Sequence, residues 1–345
     1  MKHLYPCIGI VSLALFASGC ASSGWKGPVS DHFNGKRFTQ PEPHRYPLKD
    51  WLKIHFASHR GKWQKFRETP PGPPPPRQVD GGALRVTFVN HATMLIQMDG
   101  INILTDPTWA KRSVSVVGAH RRRSPGLRYE DLPPIDAVIV SHNHHDHMDI
   151  PTLRWLSKNR PSPVYSGIGN TTFLKRKQVS DGHDIDWWES VTIAPGITLT
   201  AVPARHTSGR FPPLDQNRTL WCGFVITGPS GSVYFAGDTG WGLHFEAIAK
   251  RFPHLRLAFL PIGGFKPIWH IRQQHIGPAD VMLLGPILNA STVIPMHFGT
   301  FPNGEEAQDE APELLRTLGA ENPEVGKKII ILDNGESVYV PAYRP

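Results

Sequence analysis

From residue 83 onward the apolar positions fall into short runs rich in β-branched residues. Residues 84–89, 93–98 and 101–105 read as three strands, and Asp99-Gly100 between the last two is a strong hairpin signal. Residues 135–140 (Ile-Asp-Ala-Val-Ile-Val) are apolar on nearly every position, the pattern of a strand covered on both faces. Asp149 can cap a helix that Pro151 begins and that runs to about 158. A second helix is expected near 171–177, and further strands at 164–165, 191–193, 197–203 and 220–226. The runs that begin at Gly231 and Ser291 are two more. Strands interleaved with helices make the class α/β, or α+β, over a catalytic-sized domain at 83–345.

Before residue 83 the pattern changes. Residues 21–46 are polar and lack a period, as a tether would be. Leu48, Trp51, Leu52, His55 and Phe56 then recur at helical spacing among lysines and arginines, predicting a basic amphipathic helix over 47–67. Its stripe suits either the protein's own core or an anionic lipid surface. Pro70-Pro71-Gly72 and four further prolines follow as a stiff, extended spacer, so 20–82 forms an N-terminal region distinct from the domain.

Composition adds the first hint of location. Residues 1–19 carry Lys2, an apolar middle and the small residues Ala17-Ser18-Gly19 ahead of Cys20, which is the layout of a secretory signal peptide. The apolar run is short for a membrane span. Ala-Ser-Gly-Cys also resembles a bacterial lipobox, which implies a lipidated Cys20 and an exported protein anchored in the cell envelope, at the outer membrane. A short anchor or plain secretion is the alternative. Cys7 would leave with the signal, so Cys222 is the one remaining thiol; it has no disulfide partner and reads as a small core residue. The formal net charge of +8 favours anionic partners, with membrane phospholipid first and nucleic acid second. The loop 109–128, with Arg121-Arg122-Arg123 and Arg128, is either a solvated charge run or an anion-binding rim.

The candidate chemistry concentrates at strand ends. Ser141-His142-Asn143-His144-His145-Asp146-His147-Met148-Asp149 crowds four histidines and two carboxylates into nine residues immediately after the strand at 135–140. His142-x-His144-x-Asp146-His147 offers imidazole nitrogens and a carboxylate oxygen, the donors that suit zinc and its neighbours. His206 follows the strand at 197–203, Asp238 lies between glycines at the exit of the next one, and His297 follows the run from Ser291. Asn90-His91 and Asp106-Pro107 also end strands and could border a site, although turn residues of these types commonly satisfy only local hydrogen bonds.

This series, Ser-His-Asn-His-x-Asp-His, a lone His, Gly-Asp-Thr-Gly, then His-x-Gly-Thr, resembles the metal-binding signature of the metallo-β-lactamase fold. Leu132-Pro133-Pro134, Asp186-Trp187-Trp188-Glu189, Pro261-Ile262-Gly263 and Gln274-His275 look like the branch that hydrolyses N-acyl-phosphatidylethanolamine, a phospholipase D. The resemblance spans about 84–301 and implies a four-layer αββα sandwich with two Zn2+, or another divalent transition metal, at one edge of its sheets. It assigns His142, His144 and His206 to the first ion, Asp146, His147 and His297 to the second, and Asp238 to a bridge. Water activated between two such ions is the implied nucleophile. Asp146, Asp238 and His275 are then the catalytic candidates, with His275 placed to hydrogen-bond a phosphate oxygen or protonate the leaving group. The implied partners are a phospholipid substrate and, through Cys20, the membrane; nucleic acid is not expected. Neither the H-x-K-x4-D motif of other phospholipases D nor a G-x-S-x-G elbow occurs, which favours direct attack by water. Two other readings remain: a hydrolase of a lactone, a β-lactam or a nucleic acid phosphodiester, and a non-enzymatic envelope lipoprotein with structural metals.

Overall fold

A computed structural model describes residue 22 and residues 24–42, 61–114 and 118–342. In β1 (Leu84–Asn90) the residues Leu84, Val86 and Phe88 alternate with Arg85 and Thr87, and pairing with β2 (Thr93–Met98) sets Val86 opposite Ile96 and Phe88 opposite Met94. That register stacks one apolar face toward the molecule's centre, as period-two alternation requires. β3 (Ile101–Thr105) follows antiparallel, while β4 (Ala137–Val140), β5 (Val164–Gly167) and β6 (Gly182–Ile185) continue the sheet in parallel. The second sheet contains β7 (Ser190–Ala194), β8 (Ile197–Val202), β9 (Gly223–Gly228), β10 (Gly231–Phe235), β11 (Leu255–Pro261) and β12 (Ala290–Met296), adjacent in that order. β13 (Ser337–Val340) returns to pair with β1 and closes the edge of the first sheet.

The core lies between the sheets, where Val86, Phe88, Ile96 and Ile103 meet Leu199, Phe224, Phe235 and Phe259. The opposite face of the first sheet, through Leu95, Leu104, Val138 and Val140, is covered by α1 (Ile150–Asn159) and α2 (Thr171–Arg176). α3 (His244–Arg251), α5 (Pro278–Ile287) and α6 (Glu310–Glu321) cover the second sheet through Phe245, Ile248, Val281, Leu284 and Leu315; the single-turn α4 (Ile268–Ile271) precedes α5, and α7 (Pro323–Gly326) follows α6. The result is the expected αββα order. Between β1 and β3, and between β8 and β10, lie two antiparallel steps, so β1, β3 and β4 share one direction and β8, β10, β11 and β12 share another. Each sheet therefore delivers several strand exits to a common edge, where open α/β sheets hold their ligands.

The N-terminal region differs from expectation. The signal segment, Cys20 and the predicted helix up to residue 60 lie outside the described residues. Residues 61–67, the end of that predicted helix, are extended: the Arg67 amide donates to Arg122 O at 2.8 Å, and Trp63 Nε1 donates to Glu306 O at 2.8 Å. Residues 24–42, read as a tether, instead pack on the domain. Phe33 and Phe38 are buried with Ala204, Leu220 and Trp221, and the Phe38 amide donates to Asn217 O at 2.7 Å. His32 Nε2 stands 2.8 Å from Asp186 Oδ1 while its ring stacks on Trp187. Farther back, the Ser22 amide donates to Asp215 Oδ2 at 2.8 Å. The proline spacer is extended and docked as well, with the Gly72 amide bonded to Gly126 O at 2.8 Å.

Three further expectations are settled by packing. Cys222 is a buried core residue, its thiol pKa pushed well up by burial. Two arginines of the basic loop are built into the structure, since Arg121 is buried and donates to Ala110 O at 2.6 Å and Arg123 pairs with Asp309 and Asp333, while Arg128 stays exposed beside Asp131. Burial lowers the Arg121 pKa to about 10. Among the described residues, no helix is long and apolar enough to cross a membrane.

Candidate metal centre

The histidine loop is shaped by a carboxylate from the neighbouring strand. Asp106, at the exit of β3, accepts from the Ser141 amide at 2.7 Å and from Ser141 Oγ at 2.6 Å, which turns the chain sharply as β4 ends. The same carboxylate lies 2.7 Å from His147 Nδ1. Because an ionised carboxylate can only accept, a His147 proton resides on Nδ1, which leaves Nε2 as the nitrogen turned toward the centre. Ser141 spends its hydroxyl proton on Asp106, so its oxygen accepts from His142 Nδ1 at 2.9 Å and His142 Nε2 is likewise left as a donor atom. The carbonyl of Gln274, 3.1 Å from His206 Nδ1, does the same for His206.

These lone pairs converge. His142 Nε2 and His144 Nδ1 are 2.8 Å apart, and His144 Nδ1 is 3.3 Å from His206 Nε2. Ligand atoms on a tetrahedral zinc with bonds of about 2.0–2.1 Å are separated by roughly 3.3 Å, so this is the spacing of three nitrogens on one cation. A second group lies beside it: His147 Nε2 and His297 Nε2 each stand 3.2 Å from Asp238 Oδ2, with Asp146 and His91 completing the cluster. Asp238 Oδ2 is also 3.7 Å from His206 Nε2 and 4.0 Å from His142 Nε2, and so faces both groups. His147 Nε2, both nitrogens of His297 and Asp238 Oδ1 are buried without a hydrogen bond. Buried polar atoms are rarely left so, and their collection at one point is a donor set fit to hold metal. Asp238 depends on Gly237, whose φ is +61° and whose missing Cβ would lie 2.4 Å from Ser141 Cβ; only glycine lets this strand exit press against the histidine loop.

Charge in the cluster is uneven. Burial, reinforced by neighbouring histidines, holds His142 and His206 well below the ordinary imidazole pKa. Burial also opposes charge on His147, but Asp238 and Asp106 outweigh it and raise its pKa well above the usual value. Asp238 is buried too, yet His147 and His297 hold it well below the usual carboxylate range. His145, the motif's remaining histidine, turns aside: its Nε2 lies 2.9 Å from Arg210 O, and Arg210 Nη1 donates to the Asn143 and Met148 carbonyls, which clamps the loop from outside. Burial first, then Arg210, lowers the His145 pKa to about 4.

Each candidate residue from the sequence lies in this cluster: His142, His144, Asp146, His147, His206, Asp238 and His297. His275 joins them, with Nδ1 at 3.9 Å from Asp238 Oδ2 and its ring 5.1 Å from that of His206. Burial lowers its pKa to about 4, so the ring is neutral at pH 7. It also borders a cleft of about 240 Å3 lined by Phe265, Ile268, Leu283 and Leu314. Asp106 and His91, which the sequence places at strand ends where they could border a site, belong to the centre. Strand direction is the signal that finds them, since β1 and β3 leave the sheet at the same edge as β4.

Residues 101–298 match the family model described as beta-lactamase superfamily domain. The N-acyl-phosphatidylethanolamine-hydrolyzing phospholipase D 1 of Caenorhabditis elegans is 32% identical over 249 residues, 67% of this chain and 70% of that protein. The mitochondrial protein of the same description from Saccharomyces cerevisiae is 32% identical over 240 residues, and the match spans about half of its length, 51%. A UPF0173 metal-dependent hydrolase of Methanopyrus kandleri is 26% identical over 74% of this chain and 99% of its own. Among solved structures, an isothiocyanate hydrolase from Delia radicum gut bacteria shares the fold, with a TM-score of 0.62 and 22% identity over 75% of this chain and 100% of that one. A His/Asp cluster at a shared strand edge, on a chain so matched, makes this a metal-dependent hydrolase of the beta-lactamase superfamily, in the branch that includes the N-acyl-phosphatidylethanolamine-hydrolysing phospholipases D.

Proposed function

We propose that this chain is a phospholipid phosphodiesterase of the phospholipase D type, with two divalent cations, zinc in the first place. His142, His144 and His206 would hold one, Asp146, His147 and His297 the other, and Asp238 would serve both. The observation that carries the reading is the division of the cluster into these two groups with Asp238 Oδ2 facing each. When bound, such a pair supplies fixed positive charge for phosphate oxygens and lowers the pKa of water toward about 7.

The chain's own residues prepare that chemistry. Asp106, Ser141 and the Gln274 carbonyl hold protons on the outward nitrogens of His147, His142 and His206, so their inward nitrogens are the ones turned toward a cation. His275 is neutral and stands beside the cluster, where it would hydrogen-bond a phosphate oxygen. The apolar cleft beyond it would take part of an acyl chain. Relatives named for hydrolysing N-acyl-phosphatidylethanolamine support this substrate over a lactone, a β-lactam or RNA. In the reaction, water adds to phosphorus, the bond from phosphorus to the ethanolamine oxygen breaks, and that oxygen takes a proton. N-acylethanolamine and phosphatidic acid leave. Lipidation of Cys20 at the outer membrane would keep the enzyme at its substrate.

The test is a purified chain lacking residues 1–20, loaded with zinc and mixed with vesicles containing N-acyl-phosphatidylethanolamine, with products followed by mass spectrometry. Appearance of N-acylethanolamine and phosphatidic acid in equal amounts is expected. Turnover of a lactone, a β-lactam or RNA with the lipid left intact would overturn the reading.

A further inference from the structure

We propose that His91 is a positioning residue for the second cation, acting through Asp146; this rests on the two-cation reading above. Asp146 Oδ2 accepts from Asn303 Nδ2 at 2.8 Å, and His91 Nε2 stands 3.3 Å from the same oxygen. Both contacts fall on Oδ2, while Oδ1 takes no hydrogen bond among the described residues. A carboxylate gripped by one oxygen presents the other in a fixed direction, which is how outer partners orient a metal ligand.

The chain goes to some trouble to place this imidazole. His91 adopts φ +50°, a left-handed conformation that is uncommon outside glycine and is kept where the surroundings enforce it. The enforcement is visible: the His91 amide donates to Thr300 Oγ1 at 3.1 Å, and its carbonyl accepts from the His297 amide at 2.7 Å. The ring is 2% exposed, packs 4.0 Å from the His297 ring and meets Phe301 edge-on. Neither ring nitrogen makes a well-directed hydrogen bond, and the Nε2–Oδ2 contact is off line. A buried imidazole without a well-directed partner is costly, and Asp146 is the carboxylate within reach. One backbone thus ties His91 to His297, and one side chain aims it at Asp146: two ligands of the same cation are set by a single turn after β1.

The experiment compares wild type with His91→Phe, His91→Gln and Asn303→Ala, each titrated with zinc and cobalt against a competing chelator. The metal-free melting temperature reports folding separately. His91→Phe is expected to keep one tight ion and weaken the second by about 10–100-fold, with the cobalt spectrum at saturation unchanged because the ligands are intact. His91→Gln, which retains an N–H at similar reach, is expected to recover most of that loss. Asn303→Ala, on an exposed residue, is expected to weaken the same ion with no change in melting temperature. Unchanged affinity in both His91→Phe and Asn303→Ala overturns the proposal, and so does a cobalt spectrum altered by His91→Phe at saturation, which would make His91 a ligand itself. Failure of wild type to cleave lipid, with these metal affinities as expected, would sink the substrate reading alone.

Discussion

Asp106→Asn is the most informative single change, because Asp106 touches no substrate yet determines which nitrogen of His147 is free. The carboxylate is fully buried and accepts three hydrogen bonds, from the Ser141 amide, Ser141 Oγ and His147 Nδ1. Asparagine has the same shape but one side is a donor. With its oxygen kept on the Ser141 amide, its NH2 takes the place of Oδ2, gives up acceptance from Ser141 Oγ and points an N–H at His147 Nδ1. The imidazole would then carry its proton on Nε2, the atom 3.2 Å from Asp238 Oδ2. Metal binding would have to reverse that tautomer and forfeit the hydrogen bond. Losses at such outer partners run to about 10–100-fold in affinity, which is roughly 1.4–2.7 kcal/mol. Removing a charge-assisted bond from the core adds about 1.5–3 kcal/mol of lost stability. Chelator-competition titration of zinc gives the first quantity, and denaturant unfolding of metal-free protein gives the second. Zinc bound as tightly as in wild type would refute the tautomer argument even if stability fell.

Two other outcomes follow from features of the same structure. Gly237→Ala forces a Cβ at φ +61° against Ser141 Cβ, and should cost about 1–3 kcal/mol in unfolding free energy and weaken metal binding together; an unchanged melting temperature would show that the strand exit can move aside. His32 gives a pH dependence. Burial opposes its charge, but Asp186 and Asp31 outweigh that and raise its pKa above 6.5. Its contribution to docking residues 24–42 is therefore fully present below about pH 6.5 and is lost as pH rises through the raised value. Hydrogen-exchange protection of 24–42 should fall between pH 6 and pH 9, and equal or greater protection at pH 9 would contradict the assignment.

The elements legible in the sequence were those whose pattern has one cause. β1, β2 and β3 alternate because one sheet face meets the central core, and Asp99-Gly100 marks their hairpin. The histidine loop was legible because no structural role calls for so many imidazoles on one turn. β6 went unread because Gly-His-Asp-Ile at a half-exposed edge has no apolar run. β11 is a continuous buried run, but it closes on Pro261, which from sequence reads as an end to pairing. α5 carries leucines around its circumference and Pro286 within it, so no stripe announces a helix. The expected helix over 47–67 had the right period, yet its last residues are drawn out by bonds to Glu306 and Arg122, partners far along the chain. His91 and Asp106 read in the sequence as turn residues that could border a site or serve only local hydrogen bonds. Their meaning comes from strand direction, which no local window contains.

The Ser22–Asp215 hydrogen bond ties the start of the described chain to the hydrolase domain. Two residues of fully extended chain reach about 7 Å, so a lipid on Cys20 would act as a short leash. Asp215 also accepts from the amides of Arg210 and Phe211, and Arg210 is the clamp on the histidine loop. A pull on residue 22 would be passed to the loop that presents the metal ligands.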